Sequence, residues 1–115
     1  MKIVILEKPM AVAEIKKLAE ESYGFMIKGS VDIEKKQVAL GGDYHIESCE
    51  ALTGQGSAQQ KVWGFNIRFE KDSETLIEFD SLINIKPALN NKSRLIEDEA
   101  VIKTATEIIE SWIKR

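Results

Sequence analysis

The chain has one cysteine, Cys49, and one histidine, His45, among its 115 residues. A single thiol excludes an intramolecular disulfide, and with no secretory signal in view it points to a reducing cytoplasm. A single histidine excludes zinc motifs built on paired histidines, so a metal site would need carboxylates from elsewhere. Long apolar runs are missing too. The opening Ile3-Val4-Ile5-Leu6 is ended by Glu7 and Lys8, and nothing approaches the ~20 apolar residues of a membrane span. Nor is there an excess of positive charge: 16 bases against 19 acids leave a net charge of −3, spread along the chain. Nucleic acid is therefore disfavoured as a partner, since its binders carry a basic stripe.

What is present is an ordinary globular composition, 43% hydrophobic and 30% charged. The length suits one domain over 1–115, with a core that needs no staples. Ile3 to Leu6 reads as a short buried strand, broken by Lys8-Pro9. Val12, Ile15, Leu18 and Ala19 recur at helical spacing and predict a helix over 11–23, with Gly24 at its C-terminal end. The period then becomes two: Phe25, Ile27, Gly29, Val31 and Ile33 point one way, Met26, Lys28, Ser30, Asp32 and Glu34 the other. A two-residue turn at Lys35-Lys36 would pair Ile33 with Val38 and Val31 with Leu40. The stretch 43–53 is open between helix and strand; as a helix, Asp43 would cap it and Ile46, Cys49 and Leu52 would share a stripe.

A second hairpin has the clearest alternation. Trp63, Phe65, Ile67 and Phe69 share one face, as do Ile77, Phe79, Ile83 and Ile85. A loop over Glu70-Lys71-Asp72-Ser73-Glu74 would pair Phe69 with Thr75, Ile67 with Ile77 and Phe65 with Phe79. The returning strand is expected over 75–86, bent near Ser81 and stopped by Pro87, with a polar loop over 88–96. Asp98 caps a last helix whose stripe is Val101, Ile102, Ala105, Ile108, Ile109, Trp112 and Ile113. The order β-α-β-β-(short α)-β-β-α predicts an α+β fold. Its antiparallel-rich sheet of about five strands carries the two main helices on one face.

Certain strings carry a resemblance. They are Val31-Asp32-Ile33-Glu34, Ala39-Leu40-Gly41-Gly42 with His45, Gly56-Ser57 with Gln59, Trp63-Gly64 with Asn66, Leu82-Ile83-Asn84-Ile85 with Pro87, and Ser93-Arg94. Together they resemble a family of small prokaryotic proteins known only as a domain of unknown function. The resemblance covers nearly the whole chain and implies a single-domain protein. It implies no activity, cofactor or catalytic residue.

The chemistry-bearing residues gather on the face opposite the rings. Glu78, Asp80, Asn84 and Lys86 alternate with the apolar set, Asn66 and Arg68 lie on the partner strand, and Lys28 and Asp32 join them if both hairpins share a sheet. Such a face is ordinarily solvated, its cross-strand pairs worth roughly 0.2–1 kcal/mol each. Crowded carboxylates can instead raise one another's pKa and build a site. His45, Glu47 and Glu50 are metal-binding types without a known metal spacing. Cys49 reads as a small core residue rather than a nucleophile. Thr53-Gly54-Gln55-Gly56-Ser57 lacks the lysine and following helix of a phosphate loop. The loop 90–94 offers donors for a carboxylate or phosphate, Arg94 above all.

The expectation is a non-catalytic binding module that uses the polar sheet face and the 43–60 and 88–96 loops. Its contact residues would be Asn66, Arg68, Asn84, Lys86, Asn91 and Arg94, its partner a protein or a small polar ligand, with no membrane and no cofactor. Self-association is expected if Val12 or Trp112 lies on an exposed apolar patch. The competing reading is a small metal-assisted hydrolase or nuclease with Asp32, His45, Glu47, Glu78 and Asp80 around a divalent ion. In that reading Asp32, His45, Glu78 and Asp80 are catalytic and His45, Glu47 and Glu50 hold metal.

Overall fold

A computed structural model describes residues 2–70 and 74–115. In chain order the elements are strands β1 (Ile3–Ile5) and β2 (Met10–Ala11), helix α1 (Val12–Glu20), strands β3 (Met26–Asp32) and β4 (Gln37–Gly41), and helix α2 (His45–Thr53). Strands β5 (Val62–Phe69) and β6 (Thr75–Glu78), helix α3 (Glu99–Ser111) and the short β7 (Ile113–Lys114) complete the fold. Five strands form an antiparallel sheet in the order β1-β4-β3-β5-β6, while β2 and β7 make a separate parallel pair. This is the α+β architecture that the alternation predicts. No helix among the described residues is long and apolar enough to cross a membrane.

One face of the sheet presents Ile27, Val31, Val38, Leu40, Trp63, Phe65 and Ile67, and α1 and α3 cover it with Ile15, Ala19, Ala105, Ile108 and Ile109. Val12 and Trp112 are half-buried against this core, so neither forms the exposed patch on which self-association was conditional. The last helix starts where expected, with Asp98 Oδ1 accepting from the Ala100 N–H at 2.8 Å. It ends at Ser111, short of Ile113, which leaves to pair with Met10. The first helix also closes early, at Glu20, and its last turn is finished by the Gly24 N–H donating to Ala19 O with Gly24 at φ +80°.

The first hairpin corrects the expected register by two residues. Val31 pairs with Val38 and Gly29 with Leu40, so the turn takes in 33–36 rather than Lys35-Lys36 alone. Asp32 explains the shift. Its Oδ1 accepts from the backbone N–H groups of Glu34 and Lys35 at 2.8 and 2.9 Å, holding those residues in a wider turn with Lys36 at φ 58°. A shift of two leaves every side chain on its predicted face.

In the second hairpin Phe69 pairs with Thr75 and Ile67 with Ile77, as expected; its connecting loop lies in part outside the described residues. The returning strand, however, stops at Glu78 instead of running to Lys86, and the Phe65–Phe79 pair is not made. Beyond it Asp80 makes one isolated bridge to Leu95, and 82–84 and 87–89 are single 3-10 turns. The physical cause is Asn84. Its side-chain amide takes the place of a strand, accepting from the Gly64 N–H at 2.7 Å and donating to Gly64 O at 3.0 Å. Ser81 packs into the space a side chain at Gly64 would need. Ile83 consequently turns to the opposite face and Ile85 is left exposed, so these two do not share the surface of Ile77 and Phe79.

The second face of the sheet is not simply solvated. Within the stretch 43–53, His45–Thr53 form helix α2, which lies over β1, β4, β3 and β5 and buries Cys49 and Leu52 against Ala39 and Val62. Its N-cap is Tyr44 rather than Asp43, because Glu47 folds back and one carboxylate oxygen accepts from both the Tyr44 and Asp43 N–H groups. The polar residues under α2 are buried and paired: Ser30 Oγ lies 2.7 Å from Ser48 Oγ, and Ser57 Oγ donates to Asp32 Oδ2.

Candidate functional site

Helix α2 stops short of β6, and where it stops the second face opens. A cavity of about 480 Å³ lies there, floored by Lys28 of β3 and Asn66 of β5 and walled by Tyr44, His45 and the 80–83 segment, with Arg94 at its edge. Lys28 and Asn66 are direct cross-strand partners, so the sheet register places them side by side.

His45, only 9% exposed, is the first residue of α2 and reaches down onto β5. Its Nε2 lies 3.0 Å from Phe65 O and 2.8 Å from Asn66 Oδ1. A backbone carbonyl can only accept, so Nε2 carries the proton. In the neutral ring Nδ1 is then a lone-pair acceptor, and among the described residues no protein donor meets it. Burial lowers the His45 pKa below its usual value. The bonds to Asn66 and Phe65 and the charge of Asp80 oppose that shift, and the charge of Lys28 adds to it. The net shift favours the neutral ring.

Lys28 stands between two aromatic rings, its Nζ 5.3 Å from the Tyr23 ring centre and 5.9 Å from that of Tyr44. Tyr23 is fixed in turn by its hydroxyl donating to Asp43 O at 2.7 Å. Among the described residues no carboxylate lies within salt-bridge distance of Lys28. Arg94 differs. Its Nε sits 2.7 Å from Asp80 Oδ1, an oxygen shut off from solvent. The approach is too oblique for a directed hydrogen bond, and the contact is that of two opposite charges held together by the Asp80–Leu95 bridge and the Ser81 N–H to Arg94 O bond.

Of the six contact residues expected from sequence, Asn66 and Arg94 reach this cavity. Arg68 lies out on the sheet between Glu70 and Glu78, over the ring of Phe25. Asn84 is fully buried and commits its amide to Gly64 and Arg94 O. Asn91 is likewise internal, its Nδ2 donating to the carbonyls of Asn84, Ser93 and Leu95 and its Oδ1 accepting from Glu97 N. Lys86 is buried with its Nζ donating to Gln59 O at 2.9 Å above the Trp63 ring, and burial lowers its pKa.

The carboxylates of the metal reading do not converge. Asp32 organises the β3–β4 turn four residues along the strand from Lys28, roughly 13 Å away at the usual rise. Glu47 caps α2, Glu78 faces Arg68, Glu50 is exposed, and Asp80 is paired. Among the described residues no three His, Cys, Asp or Glu side chains come together to hold a metal ion. Cys49 is buried in the Ala39–Leu52–Val62 cluster, where burial pushes its thiol pKa up. The 53–57 loop is tied to the β3–β4 turn, with Lys35 Nζ donating to Gly56 O. Sequence reasoning missed Tyr44 and Tyr23. A signal existed for Tyr44: Glu47 three residues on marks an N-cap, which turns its own side chain outward.

The sequence model of one protein family matches residues 4–112 of the chain. The chain belongs to that family, described as a protein of unknown function (DUF5674). The resemblance carried by the strings from Val31 to Arg94 is thereby borne out as to family. No curated protein and no solved structure matches the chain. For this DUF5674 member the reading of function therefore rests on the cavity itself.

Proposed function

We propose that the chain is a non-catalytic binding module for a small ligand, with the cavity at the N-terminal end of α2 as its site. The observation that carries this reading is the state of His45. The imidazole is held by two bonds at Nε2 and, among the described residues, Nδ1 is left as an acceptor and Lys28, a cation lining the same cavity, has no carboxylate partner. Polar groups left unmatched on an otherwise apolar wall are what a ligand site requires, and a few hundred Å³ is the usual size of one. Catalysis is the weaker reading because no serine, threonine or cysteine bonds to the His45 side chain among the described residues, leaving it no nucleophile to activate. The family's prokaryotic origin and a reducing cytoplasm belong to the same reading, the latter supported by a lone thiol, Cys49, that is buried and free.

The test is a fragment screen followed by amide chemical shifts on the whole chain. Shifts should cluster at Lys28, Tyr44, His45, Asn66 and Leu82. Fragments that scatter over the surface, or that settle elsewhere, would remove the proposal.

A further inference from the structure

The cavity at His45 has a neighbour. A second hollow of about 420 Å³ shares Ile46, Leu82 and Ile83 with it and runs on to Ile85, Pro87 and Lys86. The two hollows adjoin at these shared residues, beside α2 and the 82–87 segment, to make a groove in two parts, and Gln59 and Gln60 also line the second. Ile46, Leu82 and Ile85, which line these hollows, are 43%, 70% and 41% exposed, three large aliphatic side chains on the surface of a small protein. Polarity along the groove is lopsided. At the His45 end Asp80 neutralises Arg94, so among the described residues the charge left over is that of Lys28, and the acceptor left over is His45 Nδ1. In the second hollow Lys86 is already bonded to Gln59 O and lies on Trp63, so its charge is not left over.

An occupant that satisfies all of this has three parts. An anionic group meets Lys28, a donor close to that group enters Nδ1, and an aliphatic chain crosses Ile46 and Leu82 toward Ile85. Resting on the proposed binding site, we infer that the ligand class is a medium-chain carboxylic acid bearing a hydroxyl or amide N–H near its carboxylate. The tyrosine pair around Lys28 supports the assignment. It holds the ammonium in place by attraction to the rings while leaving it free to meet a carboxylate.

The experiment is calorimetric titration of the whole protein below micellar concentrations. The probes are 3-hydroxydecanoate, N-octanoylglycine, decanoate, decane-1,3-diol and 3-hydroxybutyrate. The first two distinguish a hydroxyl from an amide donor, and at least one should bind about tenfold tighter than each of the last three. Lys28→Gln should erase the advantage of the acid over the diol, and Leu82→Asp the advantage of the long chain over hydroxybutyrate. Leu82→Ser serves as the milder variant, with the melting temperature checked for all three. The inference is overturned if the diol or hydroxybutyrate binds as well as the long-chain acids. It is also overturned if Lys86→Met rather than Lys28→Gln removes the preference for the acid. In those cases shifts still centred on His45 would leave the binding site standing and remove only its ligand class.

Discussion

The two faces of the sheet are covered in different ways. On the first, α1 and α3 press aliphatic side chains onto Ile27, Val31, Phe65 and Ile67, and burial of apolar surface does the work. On the second, a single helix, α2, and the irregular 79–96 segment cover Ser30, Asp32, Gly64 and Asn66, and the covering is held largely by side-chain hydrogen bonds. An apolar face can be covered by anything apolar of the right volume. A polar face must be matched group by group, and where the matching stops, at His45 and Lys28, unmatched groups remain for something else to meet.

The comparison breaks first at Phe65. It is fully buried on the apolar face, so Phe65→Ala should lower unfolding free energy by about 4 kcal/mol, the usual cost of emptying such a site. Chemical denaturation reads it directly, and a loss below about 1 kcal/mol would mean that α1 and α3 do not form the main core. On the other face the matching change is Asn84→Ala. It removes one side chain and strands two backbone groups, Gly64 N–H and Gly64 O, for about 3 kcal/mol, while Arg94 O keeps the Ser81 N–H. Hydrogen exchange should rise at Gly64 in this variant. An unchanged rate there would show that Asn84 does not stand in for a strand.

That substitution also explains what could be read from the sequence and what could not. Alternation in β3 and β5 exposed the apolar face without ambiguity, because burial of every second residue leaves a period of two. Alternation persists through Ile83 and Ile85, yet the chain there is no strand, since a side-chain amide partners Gly64 in place of backbone. Periodicity cannot distinguish an amide on a side chain from one on the main chain. Asp32 defeated the register for a similar reason, by accepting the Glu34 N–H, which a two-residue turn would have left to the ladder, together with that of Lys35. Of the site, His45, Asn66 and Arg94 could be singled out by residue type. The Lys28 cage could not, because Tyr23, Lys28 and Tyr44 meet only once α2 folds back over β3.

A pH dependence sharpens the comparison further. The folded His45 pKa is lowered below its ordinary 6.5, so the unfolded chain takes up the proton more readily. Stability from this residue is complete above about pH 6.5 and is lost as pH falls from there toward the folded pKa. The melting temperature should therefore drop between pH 7 and 5, and His45→Gln should flatten part of that slope. Identical slopes in the two proteins would mean that the ring is not buried and neutral as the bonds to Phe65 and Asn66 require.

The smallest expected effect is none at all. Mg²⁺, Mn²⁺ and Zn²⁺ should leave the melting temperature unchanged, because the carboxylates of the second face are already committed to other partners. Asp32 serves the turn, Glu47 the helix cap, Glu78 the arginine beside it, and Asp80 the charge of Arg94. A metal would have to break these contacts to gather them, and each lies on a different element. An ion that bound the native chain at a hundred times its dissociation constant would add about 2.7 kcal/mol to stability, several degrees in a domain of this size. A rise of that order, lost on changing His45 to Gln, would transfer the site from the binding reading to metal-assisted chemistry.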